Sequence, residues 1–485
     1  MAKIFMVQIQ VAPYVGTAYL SAAAKQAGHE FIVHLVSNRQ TMLREIDAAK
    51  PNLIGFSCMT PLMGETLSLA SQIKKHFDLP IILGGPHPTL FPEVIQEAAV
   101  DIVCRGEAEE TLAELLTAID EGRPYTQIRN LWVKQGGEVH QNPLRPFTDP
   151  LDGIPLIDWS CYGGTPALNS PPIAFPIRGC PFSCSYCFNA PLRQIYQGLG
   201  RYVRHFSAAR AVQEVQEAIK FFTPSPVLFA SDSLGIDLPW TEQFLDTYSR
   251  SIALPFVFLI EPQLATDRFI DLIARYNCKC VALGVESGSE RVRKQILNRR
   301  YTNQELVTVA ERFHRRNIKI RTYNMIGLPT ETEAELWETI EVNWKMKTDY
   351  PRGAIFVPLP GTGIVDLAKR EGYLDEDFSF RSIPTTILAT SVLKKLDRDR
   401  IANCLCFFQT AIIFPKWTRF IKFLIRRRPN ALYRLWFGVV YAYLHRKSED
   451  RKWIPYIKYV LSNAKYTRGY VNPESESVSQ GTRRR

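Results

Sequence analysis

The sequence predicts an α/β protein: a Rossmann-like N-terminal domain, a partial (β/α)6 barrel and a small α-helical C-terminal domain. Three observations predict it. Apolar strand-like runs alternate with amphipathic helical stretches over residues 1–121 and again from 173 to about 360, the pattern of parallel sheets covered by helices. A proline-rich passage from Pro143 to Pro172 separates the two series. Beyond about residue 390 the strand-like runs stop and a basic-aromatic helical stretch follows.

In the first series "KIFMVQI", "EFIVHLV", "NLIGFS", "PIILGG" and "DIVCRG" read as strands, with helices near 17–27, 40–49, 64–77, 91–98 and 107–121. Ligands of doubly wound sheets sit outside the C-terminal strand ends, at the point where strand order reverses. The loops to watch are therefore "QVAPYVGTA" (10–18), "SCMTPLMG" (57–64) and "GGPHPTLFPE" (84–93). In the second series the strands are "IAFPI", "PVLFAS", "PFVFLI", "CVALGVE", "IKIRTYNMI" and "GAIFVPL". Six β/α units on one sheet suggest an open barrel, whose chemistry lies at the C-terminal strand ends. The expected boundaries are 1–125 for the Rossmann-like domain and 126–172 for a connector holding the hairpin "NLWVKQGGEVHQ". The barrel covers 173–385, the helical domain 386–470 and a disordered tail 471–485.

A chain of 485 residues has room for two or three domains, and 46% apolar with 22% charged residues is a globular composition. Its net charge of +11 is uneven. Residues 401–485 hold 17 Lys+Arg against 4 Asp+Glu, leaving 42 against 44 in residues 1–400. The basic character belongs to the tail and says nothing of the catalytic body. The longest uncharged run there, "IANCLCFFQTAIIFP" (401–415), is too short to cross a bilayer. The N-terminus reads as a strand and lacks the order of a signal peptide. The ten cysteines are thus expected in a reducing, cytoplasmic compartment, reduced or metal-bound.

Three of them crowd into "IRGCPFSCSYCFNA" (177–190): Cys180, Cys184 and Cys187, directly after the first barrel strand. A disulfide needs two thiols and a structural zinc site usually four ligands. Three thiolates can hold three irons of a cubane cluster and leave the fourth open to a substrate. A zinc knuckle with a distant fourth ligand, or three unrelated cysteines, is the alternative.

This loop resembles that of the radical S-adenosylmethionine (SAM) superfamily, in which an aromatic, here Tyr186, precedes the last cysteine. The resemblance implies a [4Fe–4S] cluster on the three cysteines and SAM chelating its open iron. "FASDS" (229–233) stands where the family binds the amino group of the methionyl part, with Ser231 and Asp232 in place of the common Gly-Gly-Glu. "GVESGSE" (284–290) resembles the strand-four motif, in which Glu286 and Ser287 would address ribose and carboxylate. "NMIGLPTET" (324–332) resembles the turn near the adenine, bringing Gly327 and Leu328, and "PLPGTGI" (358–364) resembles a strand-six motif. The chemistry implied is reductive cleavage of SAM to methionine and a 5′-deoxyadenosyl radical that abstracts hydrogen from substrate.

The N-terminal loops resemble the cobalamin-binding domains of mutases and methionine synthase, whose signature is Asp-x-His-x-x-Gly, then Ser-x-Leu, then Gly-Gly. Here Gly16 is followed about forty residues later by Ser57, Cys58, Met59 and Thr60, and then by Gly84, Gly85 and Pro86. Val11 and Pro13 replace the Asp and His, as in the cobalamin-dependent branch of radical enzymes, which often lacks the axial histidine. A different ligand, or none, is the alternative for this domain.

The resemblance implies a cobalamin-dependent radical SAM enzyme. The favoured reaction is methylation of an unactivated carbon, with one SAM for radical generation and one as methyl donor through methylcobalamin. A non-methylating ring-forming, ring-contracting or rearranging enzyme is the alternative, and a cobalamin or redox sensor is a third reading. A methylthiotransferase needs three more N-terminal cysteines, and only Cys58 and Cys104 are there. The expected partners are a small-molecule or lipid-like substrate and an electron donor such as flavodoxin or ferredoxin, with no nucleic acid. The tail over 401–470 reads either as a helical cap or as a surface that meets an anionic membrane.

Overall fold

The computed structural model describes residues 1–223, 226–231, 234–384, 388, 390–454 and 456–461. The chain divides into two units. One comprises Met1–Phe147 and Ile154–Ser170 with the described residues from 454 onward, the other Thr148–Gly153 and Pro171–Trp453.

In the first unit, strands β1 (Lys3–Gln8), β2 (Glu30–Leu35), β3 (Leu53–Ser57), β4 (Ile81–Gly84) and β5 (Ile102–Cys104) alternate with helices. These are α1 (Val15–Gln26), α2 (Arg39–Ala49), α3 (Met63–Lys74), α4 (Pro86–Leu90) and α5 (Glu109–Asp120). The near-continuous apolar strands pair in parallel in the order β2-β1-β3-β4-β5, as strands buried on both faces do. Strand order reverses between β1 and β3, so the loops after these two strands flank the crevice where such sheets bind ligands. The hairpin expected within a connector is instead the edge of this sheet. Its strands β6 (Leu131–Gln135) and β7 (Glu138–Gln141) add antiparallel to β5, because Leu131 and Val133 bury against Ile102, Leu115 and Leu116. The helix expected near 91–98 is also broken. Phe91 leaves the helical region (φ −127°, ψ 67°) before Pro92, so α4 stops and a single tight turn, Pro92–Gln96, follows.

The second unit opens with β8 (Ile173–Ala174), β9 (Ile177–Arg178), α6 (Asn189–Ile195) and β10 (Arg204–His205). Then come α7 (Ala208–Phe221), β11 (Val227–Phe229), α8 (Leu238–Ser251), β12 (Phe256–Ile260), α9 (Asp267–Arg275) and β13 (Cys278–Glu286). The series closes with α10 (Asn303–Arg315), β14 (Lys319–Ile326), α11 (Glu333–Lys345), β15 (Tyr350–Ile355) and α12 (Gly363–Arg370). Six strands pair in parallel in chain order, β8-β11-β12-β13-β14-β15. Helix starts are set by side-chain caps. Ser207, Asp237 and Thr266 accept from the first turns of α7, α8 and α9, and Thr302–Glu305 and Thr332–Glu335 form reciprocal capping boxes on α10 and α11.

The remaining helices are α13 (Arg398–Ile413), α14 (Thr418–Leu424) and α15 (Ala431–Ser448). The apolar run of 401–415 is mostly α13, and it belongs to the core of this unit. Ile401, Leu405, Phe408 and Ala411 pack with Ile326, Ile340 and Ile355. Approach is close enough that a Cβ on Gly327 would meet Ile401 at 2.8 Å and one on Gly353 would meet Phe408 at 2.8 Å. Among the described residues no helix is long and apolar enough to cross a membrane. The tail expected over 471–485 lies outside the described residues.

Candidate active site: the cysteine loop and the switch-point loops

The cysteine loop leaves β9 through Gly179, whose φ of +86° and contact with the Tyr202 carbonyl (2.2 Å from a built Cβ) exclude any side chain. Cys180 is buried, Cys184 and Cys187 are half-buried, and none of the ten cysteines is in a disulfide. Distant segments hold the loop. The Ser185 N–H donates to the Leu297 carbonyl (3.2 Å), its hydroxyl to the Ile296 carbonyl (2.5 Å), and the Asn298 amide to the Ser183 carbonyl (2.8 Å). The Ile364 N–H donates to the Ser185 carbonyl (2.9 Å). Asn189 Nδ2 lies 3.5 Å from Cys187 Sγ as a donor. Burial pushes the Cys184 thiol up, while the Arg299 guanidinium draws it the other way.

Beside this loop stands a buried charged network. Glu261 follows β12, Glu286 ends β13, and Arg299 lies beyond the π-helical turn Val292–Ile296. Arg299 donates to Glu261 (2.5 Å), to the Gly284 carbonyl (3.2 Å) and to the Tyr301 hydroxyl (3.1 Å), and lies 3.6 Å from Glu286. Its guanidinium carbon sits 5.8 Å from the Tyr186 ring centroid. Burial lowers and the surrounding anionic and phenolic groups raise its pKa, and the net direction is up, so Arg299 stays charged. The Tyr186 hydroxyl, itself pushed well up by burial, donates to Glu286 (3.0 Å). Glu286 occupies this place because the β13–β14 register slips between Gly284 and Glu286, and Glu286 takes the left-handed conformation (φ +63°). A bulge of this kind re-aims a side chain at a strand end, and a non-glycine residue held there stores about 1–3 kcal/mol of strain.

Several residues expected to contact SAM also make bonds within the protein. The Ser231 hydroxyl accepts from the Ile177 N–H (3.2 Å) and donates to the Ile177 carbonyl (3.0 Å), clamping β11 to the strand before the cysteines. Asp232, its neighbour in that expectation, lies outside the described residues. Ser287 is fully buried and its hydroxyl accepts from the Ser289 N–H (3.3 Å). Gly327 (φ +80°) and Leu328 form a buried turn whose N–H groups donate to Glu331 (2.9 and 3.3 Å). The Leu328 side chain packs among Val292, Phe356 and Tyr186.

In the first unit, the loops after β3 and β4 interlock. Ser57 pairs with Gly84, the Cys58 N–H donates to the Gly84 carbonyl (2.7 Å), and the His87 N–H donates to the Cys58 carbonyl (3.1 Å). Gly85 has φ +95°, and a built Cβ would meet the Cys58 nitrogen at 2.9 Å and Ser57 Oγ at 3.2 Å. Gly16 and Pro86 are exposed and Met59 half-buried. Thr60 is buried with its hydroxyl 3.1 Å from His87 Nδ1, so its side chain braces the loop. After β1, the Gln8 amide donates to the Gln10 (2.6 Å) and Ala12 (2.9 Å) carbonyls, and the Tyr162 hydroxyl joins Gln8 (2.5 Å) to the Tyr14 N–H (3.0 Å). Pro13 stands inside this closed turn. Cys58 and Cys104 are fully buried, their thiols pushed up to about 12 by burial.

Two family models match the chain: the B12 binding domain over residues 10–116 and the Radical SAM superfamily over residues 175–342. This chain is a cobalamin-binding radical SAM enzyme. Among its relatives, the uncharacterized methyltransferase PH0819 of Pyrococcus horikoshii is 25% identical over 81% of this chain and 86% of its own length. The anaerobic magnesium-protoporphyrin IX monomethyl ester cyclase of Rubrivivax gelatinosus is 24% identical over 80% of this chain and 71% of its own. In fold, the chain is similar to the radical SAM methyltransferase TsrM of Kitasatospora setae (TM-score 0.63, 17% identity, 76% of each chain). It is also similar to the cobalamin-dependent SAM radical enzyme OxsB (TM-score 0.65, 15% identity, 99% of this chain and 74% of that one).

The cofactors of a cobalamin-binding radical SAM enzyme are a [4Fe–4S] cluster, SAM and cobalamin, and the residues present fit them. Among the described residues no three His, Cys, Asp or Glu side chains converge as they would on a single metal ion. A cluster places each thiolate on a different iron and so spaces its ligands wider. The donor set of Cys180, Cys184 and Cys187 suits iron–sulfur chemistry, and an amide donor against one sulfur is a feature that tunes such clusters. At the switch point, no protein atom lies within 4 Å of a Cβ built on Gly16, so nothing in the polypeptide itself requires glycine there.

Sequence reasoning missed Glu261, Arg299 and Tyr301. Glu261 was within reach, as an acid one step past a predicted barrel strand. Arg299 was not: it lies in no strand, and its partner Glu261 is 38 residues away.

Proposed function

We propose that this enzyme methylates an unactivated carbon of a small or lipid-like molecule, fed electrons by a flavodoxin- or ferredoxin-type donor. The cofactors, when bound, supply radical hydrogen abstraction from one SAM and methyl transfer from a second by way of cobalamin. The observation that carries the reading is the turn after β1. Gln8 and Tyr162 close it around Pro13, which has no side-chain donor. The nearest histidines in sequence are engaged elsewhere. His29 accepts from the Ala2 N–H (3.3 Å), His34 lies 2.6 Å from Glu45, and His87 is buried against Thr60. A corrin seated at this switch point would meet no histidine in the turn after β1, which would favour reduction to the nucleophilic state that accepts methyl from SAM.

The chain's own residues have three tasks in this reading. Cys180, Cys184 and Cys187 hold the cluster. Tyr186, Glu286 and the Gly327–Leu328 turn position SAM, with Arg299 holding Glu286 in place. Ser57, Met59, Gly84, Gly85, Pro86 and Gly16 shape the corrin site. The relative named as a methyltransferase supports methylation. The cyclase relatives favour a second reading, ring formation without methyl transfer.

The test is product mass from anaerobically reconstituted enzyme given methyl-deuterated SAM. A labelled methyl in the product is expected. A product without label would move the assignment to ring formation or rearrangement.

A further inference from the structure

From Ile401 to Ser448 the chain holds nine Lys+Arg and no Asp or Glu. The inner part of this run is core. Helix α13 is packed as described, and α15 lies against it through Tyr433 and Phe437, with the Phe407 and Tyr433 rings edge to face at 4.8 Å. The far end of α15 is fastened as well. Arg321 donates to the Ser448 carbonyl (3.0 Å) and Arg352 to the Ser448 hydroxyl (3.3 Å), placing cations at the helix C-terminus. The orientation of α15 is therefore fixed, and so is the face it turns outward.

That face is apolar. Leu432 (74% exposed), Leu435 (64%), Val439 and Tyr443 follow one another at steps of three and four, a single stripe along the helix. On α14 and the turn before it, Phe420 (57%), Phe423 (52%), Phe414 and Trp417 are exposed too. A helix that is apolar both toward its core and away from it is not designed for water, and contiguous exposed apolar surface marks an interaction site. Cations accompany the apolar groups: Arg419, Lys422, Arg426 and Arg427, with Phe423, line a pocket of 370 Å³. Lys422 also lies over the Trp337 ring, Arg427 over Phe423, and Arg426 reaches Glu333 at 3.5 Å. Glu333 is already paired with Arg400 at 2.7 Å, which leaves the pocket cationic.

We propose that the outer faces of α14 and α15 seat this enzyme on the surface of an anionic phospholipid bilayer. Phe420, Phe423, Leu432, Leu435 and Val439 enter the boundary between headgroups and acyl chains, and the α14 pocket takes a headgroup phosphate. Aromatic and Leu side chains on one face, flanked by Lys and Arg, are the chemistry of an interfacial helix. Charge complementarity selects a bilayer with anionic headgroups over a neutral one.

The experiment uses the full chain with cluster and cobalamin, sedimented with vesicles of phosphatidylglycerol and phosphatidylcholine or of phosphatidylcholine alone. At least tenfold stronger partitioning onto the anionic vesicles is expected, falling at least tenfold between 0.1 and 0.5 M salt as screening shortens from roughly 10 Å. Leu432→Ser/Leu435→Ser and Arg419→Glu/Arg427→Glu should each lose at least tenfold in partitioning. Both should still form 5′-deoxyadenosine in vesicle-free solution, which shows that they fold. Equal partitioning onto both vesicles, or none, overturns the proposal. So does glycerophosphate binding without vesicle binding, or a solution dimer that Leu432→Ser/Leu435→Ser dissolves, which would assign the face to a second copy of this chain.

Discussion

The Tyr186 hydroxyl donates to Glu286 across 3.0 Å, joining the cysteine loop to the bulged end of β13, where Glu286 is held at φ +63°. The residue before the last cluster cysteine and the strand-four carboxylate are thus one unit, with Arg299 against both. Glu286→Gln removes the charge and keeps the shape. Its affinity for SAM, measured calorimetrically, should fall about tenfold, or about 1.4 kcal/mol, with iron content unchanged. Unaltered affinity would take Glu286 out of the SAM site.

Replacing Cys180, Cys184 or Cys187 with Ala should abolish cluster-bound iron and 5′-deoxyadenosine formation. The loop is pinned by Ser183 and Ser185 rather than by the thiols, so far-ultraviolet circular dichroism should not change. A triple variant that still cleaved SAM reductively would refute the cluster assignment.

Arg299 is the cation between two buried carboxylates. Arg299→Met leaves Glu261 and Glu286 uncompensated, which typically destabilises by about 3–5 kcal/mol. Glu261→Gln added to that variant should recover part of the loss. A double-mutant cycle read by denaturant unfolding measures it, and strictly additive losses would show that the two do not interact.

Glu331 gives a pH dependence of known sign. It is half-buried, but its carboxyl turns inward, and burial pushes it from 4.5 up to about 7 despite the Gly327 and Leu328 N–H groups. Between those values the folded chain binds a proton that the unfolded chain has released. Its contribution is therefore full below pH 4.5 and lost as pH rises through 7, by at most about 3 kcal/mol. Glu331→Gln should flatten stability between pH 5 and 8 and raise it at pH 8. Parallel pH profiles for the two proteins would contradict the shift.

The closed turn at Pro13 predicts the spectrum of bound cob(II)alamin. Electron paramagnetic resonance should show cobalt lines without nitrogen superhyperfine splitting. Splitting that survives in a benzimidazole-free analogue would reveal a protein nitrogen ligand and end the proposal of an open lower face.

Alternation of apolar runs and helical stretches located all five parallel strands of the first sheet and all six of the second, because strands buried on both faces carry their signal locally. The hairpin at 131–141 was visible as a hairpin, but its docking on β5 depends on Ile102, Leu115 and Leu116, which no local pattern announces. The cysteine loop was legible as three thiols of one spacing. Glu286 was legible as a residue, but its bulged, left-handed setting arises from the register with β14. For Ser231, Ser287 and Thr60 the sequence did not announce the bonds they make within the protein. A hydroxyl at a strand end serves a ligand or a neighbouring backbone equally well in sequence, and only packing decides.

The bonds that fix the cysteine loop reach far ahead in the chain: to Glu286, to Ile296, Leu297 and Asn298, and to Ile364. During synthesis the three thiols emerge in the loop after a two-residue strand, more than a hundred residues before Ile296, which accepts from Ser185. Their spacing is set only when β13 and the turn beyond it have been added to the sheet. Iron and sulfide delivered to the growing chain would meet a floppy tripod, open to wrong pairings and oxidation. A cluster on these cysteines would therefore find its three ligands held in place only once the barrel is complete.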